Sequence, residues 1–122
     1  MPTLETPGAA KAAGADTPDF GLSPRALGLL RGLFSAYPEV NRAIVYGSRA
    51  MGNYRNGSDI DIALDAPGME NARFLHLRTA ADDLMLPWMM DLSLLSPISN
   101  PALLEHISRV GKPLWVREHH LP

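Results

Sequence analysis

The stretch "VYGSRAMGNYRNGSDIDIALD", residues Val45 to Asp65, decides how the chain reads. A β-branched and aromatic run, "RAIVY", stops at Gly47, which predicts a short buried strand entering a tight turn. Beyond a polar loop holding two glycines and two asparagines, "SDIDIALD" alternates strictly. Period-2 geometry puts Ile60, Ile62 and Leu64 on one face and Asp59, Asp61 and Ala63 on the other. One face is core and the other is acidic.

Residues i and i+2 of a strand lie about 6 to 7 Å apart, so Asp59 and Asp61 present two carboxylates side by side. Such a pair repels itself and is most easily kept ionised by a cation; Mg²⁺ favours one or two carboxylates with waters and substrate phosphates. Further along, "WMMDLSLL" alternates again and carries Asp91 opposite Met90, Leu92 and Leu94. If that strand lies next to "SDIDIAL", Asp91 sits across from the pair at roughly 5 Å. Three carboxylates can hold two Mg²⁺ ions about 4 Å apart, the arrangement that stabilises entering and leaving oxygens in displacement at phosphorus. Gly47 and Ser48 supply the complement, because glycine admits a close ligand and the start of a helical turn at "SRAM" turns N–H groups toward an anion such as a triphosphate. Arg49 or Arg55 can reach a phosphate from the loop, and Ser58 stands at its exit as a further nucleotide contact.

Each feature has a plainer explanation when taken singly. Asp-x-Asp is often only a polar strand face, Gly-Ser is often only a turn, and Asp91 can be an ordinary surface residue. The combination is much rarer. The four histidines, His76, His106, His119 and His120, show no ligand spacing and read as surface groups, while Met85, Met89 and Met90 read as core filler.

Outward from the motif, "SPRALGLLRGLFSAYP" predicts a helix with Ser23 as N-cap and Pro24 at its first position, its apolar face formed by Leu27, Leu30, Leu33, Phe34 and Tyr37. "MENARFLHLRTAADDLML" predicts an amphipathic helix through Phe74, Leu77, Ala81 and Leu84, closed by Pro87. "NPALLEHISRVGKP" predicts another, capped by Asn100 and stopped by Gly111. The order helix, strand, strand, helix, strand, helix implies an α/β or α+β fold, a small mixed β-sheet flanked by helices. Residues 1–22, rich in Ala, Gly, Pro and Thr, read as a flexible N-terminal tail; the domain is expected over 23–116, with 117–122 as a C-terminal tail.

Length and composition narrow the function. A chain of 122 residues makes one domain, and a formal net charge of −2 leaves no broad basic face, so a long nucleic acid is a poor ligand. The absence of cysteine excludes disulfides, zinc-thiolate sites and thiol catalysis. With no membrane-length apolar run and no signal-peptide pattern, a soluble cytoplasmic protein is expected.

The run "GSRAMGNYRNGSDIDIAL" resembles the signature of the polymerase-beta-type nucleotidyltransferase superfamily: Gly-Ser, ten residues, Asp-x-Asp. The leading helix, the "RAIVYGSRA" strand, Asp91 in "MMDLSLL" and the closing "NPALLEHISRVGKPLW" extend the likeness to the minimal nucleotidyltransferases over residues 23–116. The resemblance implies that Asp59, Asp61 and Asp91 are the metal-binding catalytic set and that Gly47 and Ser48 meet the nucleotide phosphates. It also implies ATP as substrate, a helical HEPN-type toxin as partner in a hetero-oligomer, and an antitoxin that transfers AMP to a tyrosine of that partner. The usual motif continues Gly-Ser-x-Ala-Arg-Gly, and here Met51 stands where the arginine would be. Two rivals are an antitoxin that neutralises by binding alone, and a nucleotidyltransferase for a small molecule such as an aminoglycoside. The second lacks support from any extra helical domain.

Overall fold

The computed structural model describes residues 19–55, 57–95 and 100–118. Helix α1 (Pro24–Ser35) begins where Ser23 accepts the Ala26 N–H at 3.1 Å and Pro24 needs no donor of its own. It buries Ala26, Leu27, Leu30 and Phe34. Strand β1 (Arg42–Tyr46) runs into the short helix α2 (Ser48–Met51), and β2 (Ile60–Asp65) returns antiparallel to β1. Helix α3 (Asn71–Asp82) then crosses over to β3 (Met90–Leu94), which lies parallel to β2, as a strand joined through a helix can. Helix α4 (Pro101–Val110) starts at Asn100, whose Oδ1 accepts the Ala102 and Leu103 N–H groups. The chain closes with β4 (Lys112–Val116), giving a mixed sheet in the order β3-β2-β1-β4.

The expected small mixed sheet flanked by helices is therefore present. The alternation in β2 sorts its residues as anticipated. Ile60, Ile62 and Leu64 join Ala43, Val45 and Leu114 in a core closed by Leu30, Phe34 and Leu77. Ile44, Tyr46 and Ala63 face the other way and meet Ile107 of α4.

Four expectations need correction. Strand β4 was not foreseen, because Pro113 breaks its pattern; it is tolerated on an edge strand beside a register shift at Ala43/Ile44. Residues 1–18 of the expected N-terminal tail lie outside the described residues, and Phe20 and Leu22, which the sequence assigns to that tail, are buried in the core. They get there through a tight turn in which Phe20 and Gly21 both have positive φ and the Gly21 N–H bonds Asp19 Oδ1 at 2.9 Å. A Cβ on Gly21 would run into the Tyr54 ring. At the other end Arg117 lies beyond the expected boundary yet donates to the carbonyls of Val40 at 2.9 Å and Tyr37 at 2.8 Å. Finally, Met85 and Met89 are not core filler: they are 84% and 74% exposed in the α3–β3 connection, where Met85 adopts a left-handed conformation.

Candidate active site

Asp61 is the second residue of β2 and Asp91 the second of β3, and the parallel register sets them directly opposite one another. Tyr46 stands opposite Asp61 on the other side, across the antiparallel β1–β2 pairing. Asp59 precedes β2 in an exposed position, Asp91 is exposed and Asp61 is half-buried. Partial burial pushes the Asp61 carboxyl above the usual carboxylate range, and the charges of Asp91 and then Asp59 push it further. The three carboxylates thus form one electrostatic cluster. Among the described residues, no three acidic or histidine side chains are already gathered as a set that could hold a metal ion. The donor set, carboxylate oxygens on adjacent strands, suits a hard cation such as Mg²⁺.

Gly47 turns the chain from β1 into α2 with φ of 73°, a conformation L side chains rarely adopt. A Cβ at this position would collide with Asp61 Oδ2, so glycine is what allows the turn to lie against the carboxylate. Ser48 follows at the first position of α2 and is half-buried.

Arg49 is placed differently from the phosphate contact expected of it. Its side chain is 3% exposed, and the guanidinium donates to the Ser58 carbonyl at 3.1 and 2.9 Å and to the Phe20 carbonyl at 2.7 Å. It also lies over the rings of Tyr54 at 4.8 Å and Trp88 at 5.6 Å. Arg49 therefore ties the N-terminal turn to the residue preceding Asp59. The Ser58 hydroxyl accepts the Arg55 N–H at 2.9 Å, which closes the loop ahead of the aspartates.

The residue missed in the sequence is His106. Rather than an ordinary surface group, it projects from α4 so that its Nε2 accepts the Gly47 N–H at 3.2 Å, while its ring meets Tyr46 edge-on at 6.1 Å. The signal was its spacing, since Leu103, His106, Ile107 and Val110 share one helical face. Burial, together with the charges of Asp61 and Asp91, holds the Tyr46 hydroxyl above the usual phenol range, against a smaller opposing effect of Ser93 on β3. A cleft of about 500 Å³ opens on the same sheet face between α4 and the β1–β4 edge, lined by Arg42, Ile44, Leu104, Ile107 and Pro113, and none of the aspartates belongs to it.

No curated protein matches this chain. A chain of a crystal structure described as a toxin-antitoxin with AMP-PNP matches at 25% identity, covering 75% of this chain and 74% of that one, with a TM-score of 0.60. A chain of the tri-AMPylated Shewanella oneidensis HEPN toxin in complex with MNT antitoxin matches at 21% identity over 77% and 72% of the two chains, with a TM-score of 0.58. A putative nucleotidyltransferase from Sulfolobus solfataricus shares the fold at 19% identity over 92% and 94%, with a TM-score of 0.50. The family model described as "Polymerase beta, Nucleotidyltransferase" matches residues 30–120, from the middle of α1 past the last strand. The chain belongs to the polymerase beta nucleotidyltransferase family.

Proposed function

We propose that this protein is a Mg²⁺-dependent adenylyltransferase that moves AMP from ATP to a tyrosine hydroxyl of a helical HEPN-type toxin, and so acts as its antitoxin. The observation that carries this reading is the register of Asp61 against Asp91, with the Gly47 turn pressed onto Asp61. Two similar structures, one a toxin-antitoxin with AMP-PNP and one containing a tri-AMPylated HEPN toxin beside its MNT antitoxin, favour the nucleotide and the acceptor.

Asp59, Asp61 and Asp91 would hold the Mg²⁺, which when bound neutralises charge on the triphosphate and at the attacking oxygen. Gly47 and Ser48 orient the phosphates, because only a residue without a Cβ lets the backbone pass so close to Asp61. The acceptor hydroxyl oxygen forms a bond to the α-phosphorus as the bond to the β-phosphate oxygen breaks and pyrophosphate leaves. The hydroxyl proton passes to Asp91, which like Asp59 is exposed and which stands opposite Asp61 on the neighbouring strand, open to an incoming acceptor. Such a small domain has little chain to enclose a second substrate, so the partner supplies that surface. Met89, which is exposed, and Trp88 and Trp115, which are half-buried, offer apolar surface to such a partner, whereas Leu114 lies in the core.

Among the described residues, no helix is long and apolar enough to cross a membrane. A cytoplasmic setting, where ATP and the partner are both at hand, completes the reading. One observation favours the rival of neutralisation by binding alone. Met51, where the motif ordinarily has arginine, is 48% exposed and brings no charge to the loop. Incubation with the HEPN-type partner and Mg²⁺ tests the choice: label at the α-phosphate of ATP should pass to the partner and label at the γ-phosphate should not. A partner inhibited without either label would favour binding alone.

A further inference from the structure

His106 is a half-buried polar group on the active face to which the proposed chemistry gives no task. Helix α4 brings it over the end of β1, where its Nε2 lies 3.2 Å from the Gly47 nitrogen and its ring packs edge-on against Tyr46. A backbone N–H can only donate, so the nitrogen facing it must carry a lone pair, and the ring proton then sits on Nδ1. Gly47 is the residue most in need of such a hold. With φ of 73° and no side chain, its peptide has access to orientations that other residues lack, and only some of them keep the chain against Asp61. The flanking helix α2 has four residues and offers little rigidity of its own.

We propose that His106 is a positioning residue for nucleotide transfer: in its neutral Nδ1–H tautomer it accepts the Gly47 N–H and fixes the peptide plane from which Ser48 and the phosphate-facing side of the turn are presented. The proposal rests on the adenylyltransferase reading for its kinetic consequence, but the hydrogen bond and tautomer stand independently of it. His106 reaches no reacting atom in this role and acts through Gly47. Helix α4 thereby belongs to the active site as well as to the second core cluster, where Ile107 packs beside Ile44 and Ala63.

Two variants separate the hydrogen bond from packing. In His106→Gln the side-chain carbonyl reaches the place of Nε2 and can accept the same N–H; in His106→Leu volume is kept and the acceptor is lost. Loss of one such bond is expected to raise the ATP KM, or the ATP Kd read by titration, about five- to tenfold in His106→Leu, with kcat changed by less than about twofold. His106→Gln should stay close to the parent protein. Nitrogen-15 NMR of the parent at mildly alkaline pH should show the Nδ1–H tautomer. An unchanged KM in His106→Leu, a His106→Gln variant as impaired as His106→Leu, or an Nε2–H tautomer would each overturn the proposal. Should His106→Leu fail to fold, the His106→Gln variant and the parent's tautomer still decide. Absence of any AMP transfer by the parent would count against the adenylyltransferase reading, and the tautomer and the ATP titration would still test His106.

Discussion

Asp61 and Asp91 are register partners on adjacent parallel strands, two carboxylates held opposite one another by the backbone. Their mutual repulsion is a cost that the fold carries without any visible structural return, since neither is needed to fill the core. Asp61→Asn should therefore abolish nucleotidyl transfer while leaving the melting temperature equal to or above that of the parent, because the amide keeps the volume and loses the repulsion. Calorimetry and a transfer assay check this together. A variant that both transfers AMP and melts normally would remove Asp61 from the chemistry.

Gly47→Ala is expected to cost about 1 to 3 kcal/mol, because a methyl there meets Asp61 Oδ2 and the positive φ becomes strained. Urea unfolding measures the cost. A parent-like midpoint would mean that the turn relaxes easily and that its closeness to Asp61 is not demanded by the fold.

Arg49→Leu should lower stability by about 2 to 4 kcal/mol, since the carbonyls of Phe20 and Ser58 lose their donor in a buried place. Phe20→Ala should lower it by about 3 to 5 kcal/mol, the usual cost of emptying a buried phenylalanine site. Both are read by chemical denaturation. If neither variant shifted the midpoint, the N-terminal turn would not be packed on the domain.

The Arg73 guanidinium, bonded to Glu39 at 2.7 and 3.1 Å, holds the Glu39 carboxyl down at about 2, well below its ordinary 4.5. A depressed folded-state pKa gives stability that is present above the unfolded value and lost as pH falls from about 4.5 toward about 2. Asp61 works with the opposite sign: its raised pKa means that the ionised form detracts from stability at neutral pH and that protonation relieves this as pH falls through the folded value. Acid unfolding of Glu39→Gln should accordingly be shallower than that of the parent across this window. Superimposable acid profiles would show that the half-exposed pair is screened to insignificance.

The acidic strand was legible because period 2 is rigid: once Ile60, Ile62 and Leu64 are core, Asp61 has one face left to occupy, although Asp59 lies one residue before β2 begins. Asp91 followed by the same logic, and the opposed register emerged from pairing. What was hidden depended on contacts between distant segments. Arg49 reads as a loop cation until Phe20, Tyr54, Ser58 and Trp88 are seen around it. Phe20 and Leu22 show no periodicity because they enter the core through a turn with left-handed Phe20 and Gly21, and β4 was disguised by Pro113. His106 lies 59 residues from its partner Gly47, beyond the reach of any local pattern.

The most direct measurement is the intact mass of the HEPN-type partner after incubation with this protein, ATP and Mg²⁺, run in parallel with Asp61→Asn. Transfer should add about 329 Da per AMP to the partner with the parent protein, the mass of an adenylyl group, and nothing with the variant. A partner of unaltered mass that has nonetheless lost its toxicity would contradict adenylyl transfer and leave binding alone as the means of neutralisation.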